Sequence, residues 1–126
     1  MTYEPENFLV WGELPVTDMT RAIAFYQAVT EANLTVDNNG PNPMAVFLPK
    51  NPKQGVALNL YPGTPAPKGS GPTLHLSAPR SLENTMQRVR DAGGEVVSEP
   101  ISLPAGRFFY ALDLDGNSVG FFAHNK

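Results

Sequence analysis

The stretch FLVWGELPVTDMTRAIAFYQAVT, residues 8–30, decides the fold that this sequence predicts. Its first part, residues 8–16, alternates between two kinds of side chain, which is typical of a strand. Its second part, from about residue 19 to 30, has apolar residues at helical spacing and follows Asp18, or Thr17 before it, as an N-cap. The stretch therefore predicts one strand followed directly by one helix.

The two faces of this predicted strand differ in character. The first face is apolar and is expected to point into the core; it carries Val10, Leu14 and Val16. The second face is partly polar; it carries Trp11, Glu13 and Pro15. We expect this second face to lie against polar surroundings.

The order of elements then repeats. Three short extended runs follow the helix, near residues 33–36, 44–48 and 56–61. A segment with four prolines and three glycines, residues 61–72, suits neither a helix nor a central strand and reads as a linker over about 62–72. Beyond it, the pattern predicts a strand at 73–77, a helix over about 82–92, and strands near 95–97, 108–112 and 118–123.

Each half of the chain is thus predicted to be a βαβββ module. Leu14 corresponds to Leu76, 62 residues later, and the apolar positions of the two predicted helices correspond at a spacing of 63. Two copies of this length favour paired modules over a solenoid. We expect one α+β domain over residues 1–126, with module one at about 7–62 and module two at about 73–124.

Composition excludes several classes of function. The 12 acidic and 9 basic residues give a net charge of −3, and the arginines are scattered, so we expect no nucleic-acid partner. The sequence has no apolar run near the roughly 20 residues of a membrane span, and its acidic start does not resemble a signal peptide. It has no cysteine, which excludes disulfides and thiolate sites and fits a cytoplasmic protein.

Two sets of motifs resemble the vicinal oxygen chelate superfamily of glyoxalases, extradiol dioxygenases and bleomycin-binding proteins. The opening set is ELPVTD at 13–18, continuing to RA at 21–22 and AFY at 24–26. The closing set is AGGEVV at 92–97 and DLDGNSVGF at 113–121. The resemblance covers about residues 8–124. It implies that each module forms half of an open barrel and that the pair encloses a cleft.

The resemblance also implies where a metal would be held, with one His or Glu ligand on the first and last strands of each module. These positions fall on Trp11, on Leu58 or Asn59, on Thr73 or Leu74, and on Gly120. None of them carries a carboxylate or imidazole, and a catalytic metal needs about three such ligands. We therefore predict no metal site and no cofactor.

Glu13 and His75 are the candidate catalytic residues. They correspond under the internal repeat, and each lies two residues beyond a ligand position, so both are expected to face the cleft. If they met, Glu13 would raise the pKa of the imidazole and make an acid/base pair. The alternative is structural, with a satisfied buried carboxylate and a polar core histidine.

The predicted ligand-binding residues combine aromatic and polar side chains, as small-molecule pockets do. They are Trp11, Glu13, Asn59, Tyr61, His75, Tyr110 and Phe122. His124 is expected to be exposed near the C-terminus. The leading hypothesis is a metal-free module that binds a small organic molecule.

Two other functions stay open at this point. One is a metal-independent lyase or isomerase that uses Glu13 and His75, and the other is a dimeric accessory domain whose own side chains fill the cleft. Whether the chain is an enzyme is therefore undecided. A homodimer is expected because members of the superfamily commonly pair.

Overall fold

The structure, a computed structural model, describes residues 2–51, 53 and 56–125. The first module contains β1 (Trp11–Val16), α1 (Met19–Thr30), β2 (Leu34–Asp37), β3 (Met44–Phe47) and β4 (Ala57–Pro62). The second contains β5 (Leu74–Ser77), α2 (Leu82–Asp91), β6 (Glu95–Val96), β7 (Ile101–Leu103), β8 (Gly106–Leu112) and β9 (Ser118–His124). The predicted α+β fold of two βαβββ modules is confirmed.

Each module has its own sheet, and the two sheets share one topology. The strand orders are β1-β4-β3-β2 and β5-β9-β8-β6, and in both sheets the first strand runs parallel to the last. Leu14 is paired with Leu60 in the first sheet, as Leu76 is with Phe121 in the second. The internal repeat seen in the sequence therefore extends to the pairing of the strands.

The second module has one strand that the sequence pattern did not predict. β6 and β7 both pair with β8, so together they occupy the edge that β2 occupies in the first sheet. Between them the ladder is interrupted, because Pro100 has no N–H and the Ser98 hydroxyl accepts the N–H of Tyr110 instead. The edge strand is thus broken into two short pieces.

Both helices begin at a side-chain cap. Asp18 accepts the backbone N–H of Arg21 at 3.1 Å, and Ser81 accepts that of Asn84 at 3.1 Å. Of the two N-caps predicted for α1, Asp18 is therefore the one used. Neither described helix, at 12 and 10 residues, is long and apolar enough to span a membrane.

The helix-facing sides of the two sheets contribute to one hydrophobic core. Its largest buried members come from both modules and include Tyr26, Val29, Leu60, Leu82, Val89, Phe109 and Phe121. The two helices are in contact as well, and the Arg88 guanidinium donates to the backbone carbonyl of Val29 at 3.2 Å. The modules are therefore held together by shared apolar burial.

The turn between β8 and β9 adds polar contacts between the modules. The Tyr26 hydroxyl donates to the Asp113 carboxylate at 2.6 Å, and the Asn117 side chain donates to the carbonyl of Pro15 at 2.9 Å. The Thr17 hydroxyl donates to the carboxylate of Asp115 at 2.5 Å. The DLDGN sequence at 113–117 thus ties the last hairpin to the start of the first module.

The first strand is shorter than predicted. It begins at Trp11 rather than at residue 8, because its partner β4 begins at Ala57, opposite Trp11. The assignment of Val10 to the buried face is wrong: 73% of this side chain is exposed, and Phe8 and Leu9 are exposed as well. Leu14 and Val16 are buried as predicted. Most other boundaries differ by one or two residues.

Candidate functional site

The first sheet places four of the predicted ligand-binding residues on one face. In the parallel pairing of β1 and β4, Trp11 lies opposite Ala57, Glu13 opposite Asn59, and Pro15 opposite Tyr61. Leu14 and Leu60, on the other face, are buried in the core beneath α1. Trp11, Glu13, Asn59 and Tyr61 therefore lie together on the side of the sheet away from the helix.

The second sheet places the other three, His75, Tyr110 and Phe122, on its corresponding face. Phe108, which the sequence analysis did not single out, joins them and is the centre of the group. We call His75, Phe108, Tyr110 and Phe122 the aromatic face. The alternation of Phe108 with Tyr110 along one strand could have revealed this fourth member.

The rings of the aromatic face are in close contact. Phe108 meets His75 and Tyr110 edge to face, with ring centroids 5.2 and 5.3 Å apart, and stacks with Phe122 at 6.2 Å. His124, exposed as predicted, continues the row, with its ring 4.7 Å from that of Phe122. Such pairs hold the rings in defined orientations, so the face offers a fixed, largely apolar surface.

The faces of the two sheets adjoin along β1 and β5. A β-carbon built on Gly12 would lie 3.0 Å from the Leu74 side chain, so the two strands approach closely at this point. Glu13 and His75 are the next residue along each strand and point to the opposite side. We call this close approach of β1 and β5, at Gly12 and Leu74, the seam. The two faces therefore lie on either side of the seam.

A cavity of about 570 Å³ lies at this seam. Both faces of β5 line it, through Leu74, His75, Leu76 and Ser77, together with residues of β1, β4 and the end of α1. Of the predicted ligand-binding residues, His75 is the one in this lining. The resemblance implies a cleft between the modules, but strand alternation does not predict the lining of this cavity, because the lining depends on how the two modules meet.

His75 and Glu13 do not form the predicted pair. Within the part of the chain that the structure describes, no hydrogen bond or ion pair joins them. Although His75 as a residue is exposed, its ring is in contact with Phe108 and Tyr110, and this loss of water lowers the pKa of the imidazole. The condition under which Glu13 would raise this pKa is therefore not met, because the neighbours of the ring are apolar rather than anionic.

Gly120 leaves room for the imidazole. A β-carbon at residue 120 would lie 2.2 Å from Nδ1 of His75, its cross-strand partner. The histidine therefore occupies the space that a side chain at position 120 would need. Position 120 is where the resemblance places a metal ligand on the last strand.

The donor groups near the cleft do not fit a metal ion. Trp11 and Gly120 offer no ligand atom, and the Thr73 hydroxyl is hydrogen-bonded to Ser118. Among residues 2–51, 53 and 56–125, no three His, Cys, Asp or Glu side chains lie close enough together to hold a metal. The described residues near the cleft therefore do not supply the three ligands that a catalytic metal needs.

Asn59 is an unusual residue on the face of the first sheet. Only 5% of it is exposed, and its side-chain nitrogen has no hydrogen-bond partner among the described residues. Its cross-strand neighbours are Glu13 on one side and Val46 on the other. A buried donor without an acceptor costs about 1–3 kcal/mol, so the Asn59 amide calls for an acceptor from outside the described residues, such as a water molecule, an ion or a ligand.

Residues 8–121 match the family described as the Glyoxalase/Bleomycin resistance protein/Dioxygenase superfamily. The match covers most of the chain, in agreement with the duplicated fold and the cleft. The chain belongs to this superfamily, and the resemblance inferred from the two sets of motifs is confirmed.

Several solved structures share the fold. A glyoxalase/bleomycin resistance protein from Streptomyces sp. CB03234 is 27% identical, with a TM-score of 0.67 over 89% of this chain and 96% of that one. TnmS3, an antibiotic binding protein from the same organism, is 25% identical, with a TM-score of 0.66 over 94% and 97%.

A third similar structure supports the fold alone. The fosfomycin resistance protein FosX from Listeria monocytogenes is 19% identical, with a TM-score of 0.69 over 95% of this chain and 93% of that one. No curated protein sequence matches the chain significantly.

Proposed function

We propose that this protein binds a small, planar organic molecule against the aromatic face, without a metal. The observation that carries the proposal is the set of interlocked rings around Phe108 on the side of the second sheet away from α2. Tyr110 and Phe122 are partly exposed there, so a ligand can reach them. Fixed aromatic surfaces of this kind favour stacking with a planar partner.

The polar groups beside the rings suit a neutral ligand. Because burial lowers the pKa of His75, its imidazole is mainly uncharged at neutral pH and offers one donor and one acceptor. Tyr110 adds a hydroxyl next to it, with ring centroids 5.7 Å apart. These groups can orient a ligand without requiring it to carry a charge.

One of the comparisons supports the binding of a small molecule. TnmS3, which is 25% identical to this chain, is described as an antibiotic binding protein. The described groups near the cleft do not fit a metal ion, which favours binding without a metal. Among the described residues, no hydrogen bond or ion pair joins Glu13 and His75, so the lyase or isomerase alternative gains no support from the geometry.

We also propose that two copies of the chain associate as a homodimer. The exposed apolar side chains of Phe8, Leu9, Val10 and Trp11 form a continuous segment before and at the start of β1. Burying such a segment against a second copy would remove apolar surface from water. Light scattering at micromolar concentration should give twice the chain mass, and a monomer mass would contradict this. A cytoplasmic location remains a prediction from the sequence.

The test of the binding proposal uses 2-acetonaphthone, a planar aromatic ketone, and isothermal calorimetry. Phe122→Ala and Tyr110→Ala should each weaken binding about 5- to 10-fold, since each removes a ring from the surface. Tyr3→Ala is the control and should have no effect, because Tyr3 is an exposed aromatic residue that is not part of the aromatic face.

The same titration tests independence from metal. The affinity should be unchanged after exhaustive dialysis against a chelator, and elemental analysis should find far less than one transition metal per chain. Absence of binding by the unmodified protein would contradict the proposal and favour a filled cleft. Equal binding by all three variants would show that the aromatic face is not the site.

A further inference from the structure

We propose that Asn59 and Glu13 together recognise an amide group on the ligand. The Asn59 side-chain nitrogen donates to the carbonyl oxygen of that amide, and the Glu13 carboxylate accepts from its N–H. The inference rests on the proposed function, because the aromatic face would hold the planar part of the same molecule. It assigns the chemical class of the ligand's polar group.

The first observation is the unpaired donor. The Asn59 nitrogen is buried and has no acceptor in the part of the chain that the structure describes. The residue lies in the middle of the face, with Ala57 and Tyr61 before and after it on the same side of β4. A buried amide in this position is unfavourable unless something supplies an acceptor to it.

The second observation is the neighbour of Asn59. Glu13 is its partner in the register of β1 and β4, so the two side chains leave the sheet about 5 Å apart on one face. Glu13 is exposed, and no described residue forms a hydrogen bond or ion pair with its carboxylate. The Glu13 carboxylate, an acceptor without a described partner, therefore lies next to the Asn59 nitrogen, a donor without one.

The chemistry of this pair selects the ligand group. An ionised carboxylate only accepts hydrogen bonds, and the Asn59 nitrogen only donates them. A phosphate or carboxylate on the ligand would satisfy Asn59 but would be repelled by Glu13. An ammonium group would suit Glu13 and leave Asn59 unpaired. An amide satisfies both residues, because its carbonyl and its N–H sit on adjacent atoms.

The position of the pair connects it to the aromatic face. Glu13 follows Gly12, which meets Leu74 at the seam, and His75 follows Leu74 on the other strand. We place the ligand across this seam, with its planar part on the rings beside His75 and its amide at Glu13 and Asn59.

The test compares three naphthalenes of nearly equal size by calorimetry. Naphthalene-2-carboxamide has a carbonyl and an N–H, 2-acetonaphthone has a carbonyl alone, and 2-methylnaphthalene has neither. For the unmodified protein we expect affinity to fall in this order, by about 3- to 10-fold at each step.

The variants separate the two contacts. Asn59→Leu should remove the preference for the ketone over the hydrocarbon, and Glu13→Ala should remove the preference for the amide over the ketone. Thr35→Val is the matched control, because Thr35 lies on the same face two strands from Asn59. It should leave both ratios unchanged.

Thermal unfolding gives a second readout that does not depend on a ligand. Asn59→Leu should raise the melting temperature, because it replaces an unpaired buried donor by an apolar group of similar size. A fall would show that the amide is paired within the folded protein and would overturn the assignment.

The outcomes distinguish the two proposals. Equal binding of all three compounds would overturn the amide inference and leave the proposed function standing. If none of them binds, the proposed function fails and the inference fails with it.

Discussion

The imidazole of His75 lies against the α-carbon of Gly120, across the pairing of β5 with β9. A β-carbon at residue 120 would be 2.2 Å from Nδ1 and 2.5 Å from Cε1 of that ring. The absence of a side chain at residue 120 therefore allows His75 to contact Phe108 and Tyr110. One glycine thus both removes a metal-ligand position and shapes the aromatic face.

Gly120→Ala should displace the imidazole and destabilise the protein by about 1–3 kcal/mol, the usual cost of overpacking. Urea unfolding measures the change. The double variant Gly120→Ala/His75→Ala should recover most of the loss, since the added methyl group then has space. A double variant as unstable as Gly120→Ala alone would show that the methyl group clashes with something other than His75.

Stability should fall between about pH 7.5 and 5.5 through His75. Its pKa in the folded protein is lowered by burial, so between the folded and unfolded pKa values the unfolded chain binds more protons. The contribution of His75 is therefore present above the unfolded pKa of about 6.5 and is lost as the pH falls. The shift of the urea midpoint between the two pH values measures it.

His75→Asn isolates this effect from the carboxylates. The Arg107 and Arg80 guanidiniums lower the pKa values of Glu83 and Glu31, and these groups also make stability fall with pH, but at more acidic values. The variant should show a smaller change between pH 7.5 and 5.5 than the unmodified protein. An identical change in both would contradict the assignment to His75.

The sequence predicted the elements whose pattern is local. α1 begins at Met19 and ends at Thr30 as predicted, because the Asp18 cap and the apolar spacing determine its position. Leu14 and Val16 are buried because strand alternation extends over them. Strand β7 was not predicted. Ser98 and Pro100 interrupt the edge before it, and its three residues are all exposed, so they show no alternation of buried and exposed positions.

Strand alternation predicted only part of the site, namely which residues of one strand share a face. Alternation puts Trp11 with Glu13 and Asn59 with Tyr61, and the parallel register of β1 and β4 then places both pairs on one face. The missing hydrogen bond of Asn59 and the contact of His75 with Gly120 depend on tertiary packing. Alternation along a strand contains no information about either.

Tyr26→Phe should destabilise the protein by about 1.5–3 kcal/mol. The buried hydroxyl donates to the Asp113 carboxylate at 2.6 Å, and a hydrogen bond to a charged group contributes about this much. Burial and the nearby Asp113 charge also raise the pKa of Tyr26 far above its usual value, so the hydroxyl remains a donor at any moderate pH.

Tyr61→Phe is the control for this prediction. The Tyr61 hydroxyl makes no hydrogen bond to any described residue, so its loss should change the free energy of unfolding by less than about 0.5 kcal/mol. Chemical denaturation of both variants gives the comparison. If Tyr26→Phe behaved like Tyr61→Phe, the contact with Asp113 would not stabilise the pairing of the modules.

Gly94→Ala should destabilise the contact between α1 and the second sheet by about 1–3 kcal/mol. A β-carbon at residue 94 would lie 2.7 Å from the ring of Phe25 and 2.9 Å from the backbone oxygen of Leu112. The ring is buried and the oxygen belongs to β8, so neither can move aside at little cost. Gly40→Ala is the matched control, because the nearest atom to its added methyl group would be 3.9 Å away. Equal unfolding midpoints for the two variants would show that the modules approach less closely than these distances indicate.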